Sequence, residues 1–523
     1  IMAKPEPMSS NLSNTALDEI KAEVEIFLRS SEHPVAVEDG LELFDADRVE
    51  WRVTVEFGKL LLEAWQPGRS VVRRVEDIAY RDSQVLGLFV RKPGSGVREV
   101  LELRASRQRA GPPQNDSRHA FRNELLAFLK DQYPEWRFER VSSRSDRERS
   151  LSAWYARGLA QRGRSAWAFI GLAASEPVAA MDAALAYGLN WFDTLRRTRA
   201  DVVLSGLKLF LPPAAVQLTA HRAAWLDPQA VQVQIVAWPG PSGQPQTLDI
   251  RDFGNVETRL TPRRRPDLLL DRHREFLGRV FGDLLTQVDL IPGSAGATLS
   301  IRVLGIEVAQ VEGQIIPGLD WGLEGERRAY REEDLGALRE FLRRAIEVRS
   351  AASHEKTDAL YRMQPERWLE SLLVRDVSRL DPALNSASVY PQVPAFSGGD
   401  RGVVDILGVL RDGRLAVIEL KLDEDIVLPL QGLDYWMRVK WLNERKQFSP
   451  SGYFPGVELA QIPPRLYLVS PAFRFHSSSE RIIRYLHPSI EIVKVGLNQQ
   501  WREAIRVLFR RDVHPPERPF HSA

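Results

Sequence analysis

One order of predicted elements occurs twice in this 523-residue chain. The last third reads as helix, hairpin, apolar strand, helix, strand, helix, strand, with Gly432-Leu433-Asp434-Tyr435-Trp436 in the middle helix and Leu486-His487-Pro488 closing the next. Residues 119–238 follow the same order, with Gly188-Leu189-Asn190-Trp191-Phe192 and Leu226-Asp227-Pro228 at the corresponding places. Two regions of roughly 120–150 residues are therefore predicted to share one α/β topology.

The rest of the chain is divided by stretches rich in proline and glycine. A helical pattern over 16–30 and alternating strands over 49–104 predict a β-rich N-terminal domain. The predicted fold is a multidomain α/β protein with an N-terminal helix and β-rich domain at 1–110, a first α/β copy at 117–250, a linking α+β region at 255–355, a second copy at 358–511 and a tail at 512–523.

Composition narrows the classes of function. The chain has no cysteine, which excludes disulfides, thiolate metal sites and cysteine nucleophiles, and its nine histidines are scattered singly. The formal net charge is +1, so any surface that binds nucleic acid must be local. No phosphate-binding loop, zinc-protease helix or serine-hydrolase motif occurs. No stretch is apolar enough to span a membrane and the first residues lack a signal-peptide core, so we expect a cytoplasmic protein without a membrane partner.

The strongest chemical signal is a set of charged residues in two apolar strands joined by Arg411-Asp412-Gly413-Arg414, a typical hairpin sequence. Glu419 and Lys421 are two residues apart and share one face of their strand, while Asp405 lies in the strand before the turn. Charges in apolar strands are costly unless they are paired or bind a metal. Carboxylates around a hard cation, with a lysine that orients water or offsets charge on phosphorus, are typical of magnesium-dependent phosphodiester cleavage.

The register of this hairpin decides whether the site can form. With a two-residue loop at Asp412-Gly413, Asp405 pairs with Leu420, and Glu419 faces away from it. With a three-residue loop and Gly413 in the left-handed conformation, Asp405 pairs with Glu419. A working site requires the second arrangement, and the sequence permits both.

Asp405 followed by Glu419-Leu420-Lys421 resembles the motif of the PD-(D/E)xK nuclease superfamily, which has the restriction-endonuclease-like fold. Gln431 and Tyr435 on the next helix are similar to the Gln-x-x-x-Tyr motif of its RecB-like and lambda-exonuclease-like branch. The order of elements over roughly 360–500 also matches an αβββαβαβ core of that kind. Val404 stands where the name-giving proline would be, a position that the superfamily often relaxes.

The resemblance implies a role for each of these residues. The catalytic set would be Asp405, Glu419, Lys421, Gln431 and Tyr435. The ligands of Mg²⁺, for which Mn²⁺ would substitute, would be Asp405, Glu419 and Glu370, the last on the preceding helix. Contacts with nucleic acid would come from Gln431 and Tyr435. Arg401 is a further candidate for such a contact because of its position beside the site.

The first copy lacks these residues. In its apolar strand, Gly171 and Ala173 stand where the second copy has its glutamate and lysine. The counterpart of the aspartate falls near Trp154-Tyr155. Glu124 is the counterpart of Glu370. We therefore expect this copy to be a degenerate, catalytically inactive domain that serves in binding, packing or positioning.

The sequence thus predicts a Mg²⁺-dependent nuclease that hydrolyses DNA phosphodiester bonds, with single strands or duplex ends as candidate substrates. The branch that the helix motif resembles favours DNA repair, end processing or defence against foreign DNA. Two alternatives stay open: a non-catalytic scaffold that binds nucleic acid, and a ribonuclease. The sequence does not fix the oligomeric state, and a homodimer is among the states left open.

Overall fold

A computed structural model describes residues 14–31, 34–38, 41–46, 49–56, 59–66, 69–81, 84–91, 98–105, 112–146, 148–240, 243–250, 258–263, 266–292, 298–313, 317–323, 327–397 and 400–513. The chain forms two compact units. One contains Ile1–Pro112 and Pro266–Pro365, and the other contains Pro113–Arg265 and Glu366–Ala523. Within the described ranges, no helix is long and apolar enough to cross a membrane. The chain is mixed α/β with several sheets, as predicted.

The first unit begins with a helix and a seven-stranded sheet. The elements are α1 (Asn14–Ser30), β1 (Val35–Glu38), β2 (Leu41–Asp45), β3 (Glu50–Glu56), β4 (Lys59–Gln66), β5 (Arg69–Arg81), β6 (Val85–Arg91) and β7 (Arg98–Arg104). All adjacent strands are antiparallel, in the order β2-β1-β7-β6-β5-β4-β3. The apolar side of α1, with Leu17, Ile20, Val24 and Leu28, is buried in the core of this sheet. The predicted N-terminal helix and β-rich region are confirmed.

The second unit begins with the first α/β copy. Its elements are α2 (Pro112–Gln132), β8 (Arg137–Ser142), β9 (Tyr155–Arg162), β10 (Ser165–Leu172), α3 (Val178–Thr198), β11 (Val203–Leu211), α4 (Pro213–Ala223), β12 (Val233–Ala237) and β13 (Gln246–Leu248). The strands lie in sequence order across the sheet. Strands β10, β11 and β12 are mutually parallel, because α3 and α4 carry the chain back between them. The remaining pairs are antiparallel.

Strand β14 (Thr258–Leu260) precedes the second segment of the first unit. That segment contains α5 (Pro266–Phe281), β15 (Asp289–Pro292), β16 (Thr298–Val303), β17 (Ile306–Glu312), β18 (Gly318–Trp321), β19 (Arg328–Ala329), α6 (Leu335–Val348) and α7 (Ala359–Arg362). Strands β15 to β19 form an antiparallel sheet in sequence order. This segment therefore contains both helices and strands, as expected for an α+β region.

The second copy completes the chain. Its elements are α8 (Pro365–Arg375), β20 (Tyr390–Ser397), β21 (Asp400–Val409), β22 (Leu415–Leu420), α9 (Leu428–Glu444), β23 (Arg465–Pro471), α10 (Ser479–Ile483), β24 (Ile492–Leu497) and β25 (Val507–Val513). The sheet order is β14-β20-β21-β22-β23-β24-β25. Strand β14 lies within the range 255–355 predicted as a linking region, and it pairs with β20. This pairing satisfies backbone groups that the edge of β20 would otherwise expose.

The two sheets of the second unit share one topology. Strands β8 to β13 and β20 to β25 have the same order, and the same pairs are parallel. Helices α3 and α9 each approach their sheet at a glycine. A Cβ atom on Gly188 would lie 2.9 Å from Leu209, and one on Gly432 would lie 2.7 Å from Leu468. Equivalent glycines thus permit the same close packing of helix on sheet.

Candidate functional site

The hairpin between β21 and β22 has a three-residue loop. The amide of Leu410 donates to the Arg414 carbonyl at 2.8 Å, and the amide of Gly413 donates to the Leu410 carbonyl at 3.0 Å. Gly413 has φ +83°, the left-handed conformation that this loop requires. The register runs from Val409 opposite Leu415 to Ile406 opposite Ile418. One further step places Asp405 opposite Glu419, which is the arrangement that a working site requires.

The two carboxyl groups interact directly. Asp405 and Glu419 hydrogen-bond to each other, and Asp405 Oδ2 also accepts from the amide of Leu420 at 3.0 Å. Burial raises the pKa of Asp405. Burial and the neighbouring Asp405 carboxylate raise the pKa of Glu419 well above its ordinary value. Glu419 Oε2 is buried, and no donor in the described ranges reaches it, so the pair has capacity for a further ligand.

Lys421 supplies the positive charge of the site. Its Nζ lies 3.6 Å from Asp425 Oδ2, and 24% of its side chain is exposed. Burial disfavours its charged form, but Glu366 and Asp425 outweigh burial and raise the pKa of Lys421. The lysine therefore stays protonated beside the carboxyl pair.

Glu366, a residue that the sequence interpretation missed, is the acid of α8 that faces the site. Its Oε1 accepts from the amide of Leu422 at 3.3 Å, and it contributes to the electrostatics of both Lys421 and Glu419. Burial raises the pKa of Glu366. Helical spacing could have identified it, because Glu366 and Glu370 are four residues apart on one helix.

Glu370, the predicted additional metal ligand, is held by other residues. Its Oε2 accepts from Arg367 Nη1 at 2.9 Å and from the Gln392 side chain. The register of β20 against β21 places Gln392 opposite Asp405, and Gln392 has φ +52°, a rare value for a residue other than glycine. Glu366 is thus a second acid of α8, beside Lys421, and Glu370 as a metal ligand stays a prediction. No sequence signal marks the backbone conformation of Gln392.

Tyr435, one of the two residues of the predicted helix motif, lies on α9 near the carboxyl pair. Burial, then the charges of Glu419 and Asp405, raise the pKa of Tyr435, so this phenol keeps its proton. The guanidinium of Arg438 lies 5.7 Å from the centre of the Tyr435 ring. Gln431 Oε1 is buried without a donor among the residues that the structure describes. Arg401 lies in β21, and its side chain is outside the described part of the chain.

The first copy carries no acidic residues at the position equivalent to the carboxyl pair. Ile170 of β10, and not Gly171, is the structural counterpart of Glu419. Ile170 pairs with Leu209 as Glu419 pairs with Leu468, and these two leucines pack against the equivalent glycines of α3 and α9. Ile170 also pairs with Arg157 of β9, so the counterpart of Asp405 is Arg157 and not the predicted Trp154-Tyr155. Gly171 lies on the other face of β10. A Cβ atom on Gly171 would lie 2.3 Å from Leu125 of α2. Glu124, the predicted counterpart of Glu370, is exposed. This copy therefore has no carboxylate where the second copy has Asp405 and Glu419.

The donors of the second copy suit a hard divalent cation. Carboxylate oxygens are the ligands that Mg²⁺ and Mn²⁺ prefer, and Glu419 Oε2 is buried without a hydrogen-bond donor in the described ranges. In those ranges, no group of three or more histidine, aspartate or glutamate side chains stands in metal-ligand geometry. Burial and the proximity of Asp405 and Glu419 disfavour ionisation of both groups, and a bound cation would offset that negative charge.

Comparison with known proteins adds no family assignment. No protein-family model matches the chain, and no curated protein matches its sequence. Function is therefore inferred from the side chains of the site and their geometry.

Proposed function

We propose that the chain is a nuclease that depends on a divalent cation and hydrolyses phosphodiester bonds in DNA. The observation that carries the proposal is the pair Asp405 and Glu419, opposed on adjacent strands with Lys421 and Glu366 beside them. Buried acids with raised pKa values next to a charged lysine are typical of functional sites, because such a cluster costs stability. The resemblance to the PD-(D/E)xK superfamily supports this reading.

Each side chain has a role that follows from its surroundings. Asp405, Glu419 and Glu366 offer the oxygens that would hold Mg²⁺ or Mn²⁺. A bound cation would offset charge on the phosphoryl group and lower the pKa of a bound water. Lys421 remains positive and presents N–H donors to phosphoryl oxygens or to the attacking water. Tyr435 keeps its proton and is available as a hydrogen-bond donor to a phosphate.

The substrate class follows from the helix motif. Gln431 and Tyr435 are one turn apart on α9, a spacing with which both would contact one nucleotide beside the carboxyl pair. Their similarity to the Gln-x-x-x-Tyr branch favours single strands or duplex ends, and a role in repair, end processing or defence. RNA is the other substrate that the same residues would accept.

The decisive experiment is cleavage of labelled single-stranded, duplex and branched DNA, and of RNA, with Mg²⁺ or Mn²⁺. The variants are Asp405→Asn and Lys421→Met, with Asp131→Asn, an exposed aspartate of the first copy, as a control of the same chemistry. We expect metal-dependent products that fall by at least about 100-fold in both site variants and persist in the control. Salt-sensitive binding of DNA without any cleavage would instead establish the non-catalytic scaffold.

A further inference from the structure

The two α/β copies contact each other within the second unit through equivalent segments. Leu226, just after α4, forms an isolated antiparallel bridge with Leu486, just after α10. The flanking hydrogen bonds are reciprocal. The amide of Asp227 donates to the carbonyl of the residue before Leu486, and the amide of His487 donates to the carbonyl of the residue before Leu226, both at 2.8 Å. Each residue meets its own counterpart, which is the signature of a two-fold axis.

Aromatic contacts repeat this symmetry. Phe192 and Trp436 lie four residues after the packing glycines of α3 and α9. Phe192 of the first copy meets Tyr485 of the second edge-on, with ring centroids 5.8 Å apart. Trp436 of the second copy meets Trp225 of the first edge-on, at 4.8 Å. The copies therefore form an internal pseudo-dimer, in which α3 and α9 each pack against the opposite copy.

The polar contacts differ between the two copies at one pair of equivalent helix positions. Asn190 of α3 and Asp434 of α9 are equivalent, two residues after the packing glycines. Asn190 Oδ1 accepts from Ser478 Oγ at 3.0 Å and from Arg481 Nη1 at 3.2 Å. Asp434 instead receives Arg222 in a fork, with Nε at 3.0 Å from Oδ1 and Nη2 at 2.7 Å from Oδ2. We call the ion pair of Arg222 with Asp434 the clamp. It is on α9, the helix that carries Tyr435 of the candidate site.

Arg222 is fixed in place by more than this fork. Its side chain is only 2% exposed, and its Nη2 also lies 2.6 Å from Asp182 Oδ1. Burial opposes its charge, but Asp434 and Asp182 outweigh burial and raise the pKa of Arg222. A buried arginine with two carboxylate partners in bidentate geometry holds a defined position, whereas removal of one partner strands a buried charge.

Asp434 links this clamp to the site. It directly precedes Tyr435, which lies near the carboxyl pair, and it is three residues after Gln431 on the same helix. The first copy also reaches the edge of the site through α3, where burial, then the nearby Asp425 carboxylate, raise the pKa of Tyr187. Asp425 is the ion-pair partner of Lys421.

We propose that the degenerate copy is a built-in partner whose Arg222 acts as a positioning residue: through Asp434 it sets the placement of α9, and with it Gln431 and Tyr435, in the site of the other copy. This inference rests on the proposed nuclease function for its catalytic consequence, but not for its structural one.

The test compares the two halves of the pseudo-dimer. Arg222→Lys keeps the positive charge and removes the bidentate hydrogen bond to Asp434. Asp434→Asn keeps the shape of the side chain and removes its negative charge. Arg481→Ala breaks the equivalent contact at Asn190 and serves as the matched control. The measurements are hydrogen exchange of α3 and α9, thermal unfolding, and kcat and KM for cleavage.

We expect Arg222→Lys and Asp434→Asn each to speed exchange in α9 and to lower kcat by about 10- to 100-fold. Arg481→Ala should speed exchange in α3 and leave kcat within about twofold of wild type. Unchanged exchange in α9 in Asp434→Asn, or equal loss of kcat in all three variants, would overturn the positioning role. If the wild-type protein cleaves nothing, the nuclease proposal fails, while the exchange of α9 still decides whether Arg222 positions the helix.

Discussion

Asp405 and Glu419 lie opposite each other on β21 and β22, close enough for their carboxyl groups to hydrogen-bond when one of them is protonated. Burial sets the pKa of both above the ordinary carboxyl value. A raised carboxyl pKa means that the folded protein binds a proton that the unfolded chain would release. Stability therefore falls as the pH rises from the unfolded pKa through the folded one.

The variant Glu419→Gln should stabilise the metal-free protein at neutral pH. The glutamine cannot ionise, and its amide can donate to Asp405, so the cost of the buried charge disappears. We expect a gain of about 1–3 kcal/mol in the free energy of unfolding, measured by thermal or urea unfolding with EDTA present. Glu491→Gln is the control, and we expect it to lower the free energy of unfolding. The reason is that Arg414 and Arg465 outweigh burial and lower the pKa of Glu491, so its charged form stabilises the fold. A lower Tm for Glu419→Gln than for wild type would contradict this account.

Binding of Mn²⁺ should release a proton. The cation takes the place of a proton that Asp405 and Glu419 hold because of their raised pKa values, so the apparent affinity should rise with pH until both groups are ionised. Calorimetry between about pH 5.5 and 8, in buffers of different ionisation heat, should detect about one proton released per ion. Asp405→Asn should abolish both binding and proton release. An affinity that is constant over this range would argue against the raised pKa values.

The two acids of α8 should differ in importance for cleavage. Glu366→Gln removes an oxygen donor beside Lys421, and we expect cleavage to fall by about 100-fold or more. Glu370→Gln changes a side chain already bound to Arg367 and Gln392, and we expect a loss below about 10-fold. Single-turnover cleavage at saturating Mg²⁺ measures both. A larger loss in Glu370→Gln would favour that residue as the ligand.

Gly413→Ala should destabilise the hairpin that sets the register. A Cβ atom there would lie 2.3 Å from the Glu458 carbonyl oxygen, and φ is +83°. We expect a loss of about 1–3 kcal/mol in urea unfolding. Gly408→Ala in β21 is the matched control, because its Cβ would make only ordinary contacts at 3.9–4.0 Å. Equal losses for the two variants would show that the loop does not require glycine.

Local patterns predicted most elements of the chain, including α1, the strands of the N-terminal sheet and both α/β copies. The grouping of Asp405, Glu419 and Lys421 could also be predicted, because they share a hairpin whose geometry follows from strand periodicity. The register could not be chosen from the sequence, since two- and three-residue loops both accept Asp412-Gly413.

Features that depend on tertiary contacts could not be predicted from the sequence. Glu366 was missed because the choice between two acids on one helix depends on how the helix packs. The pairing of β14 with β20 joins segments more than 130 residues apart. The clamp between Arg222 and Asp434 joins residues 212 positions apart, and nothing local marks either one as a partner.

The bridge between Leu226 and Leu486 has a consequence for how the pairing responds to dilution. In a dimer of separate chains, the same contact would be lost as the protein concentration fell below the dissociation constant. Here both halves belong to one polypeptide, so each sees the other at an effective concentration set by the connecting chain. The arrangement of the two copies is therefore the same in a cell that holds a few molecules as in one that holds thousands.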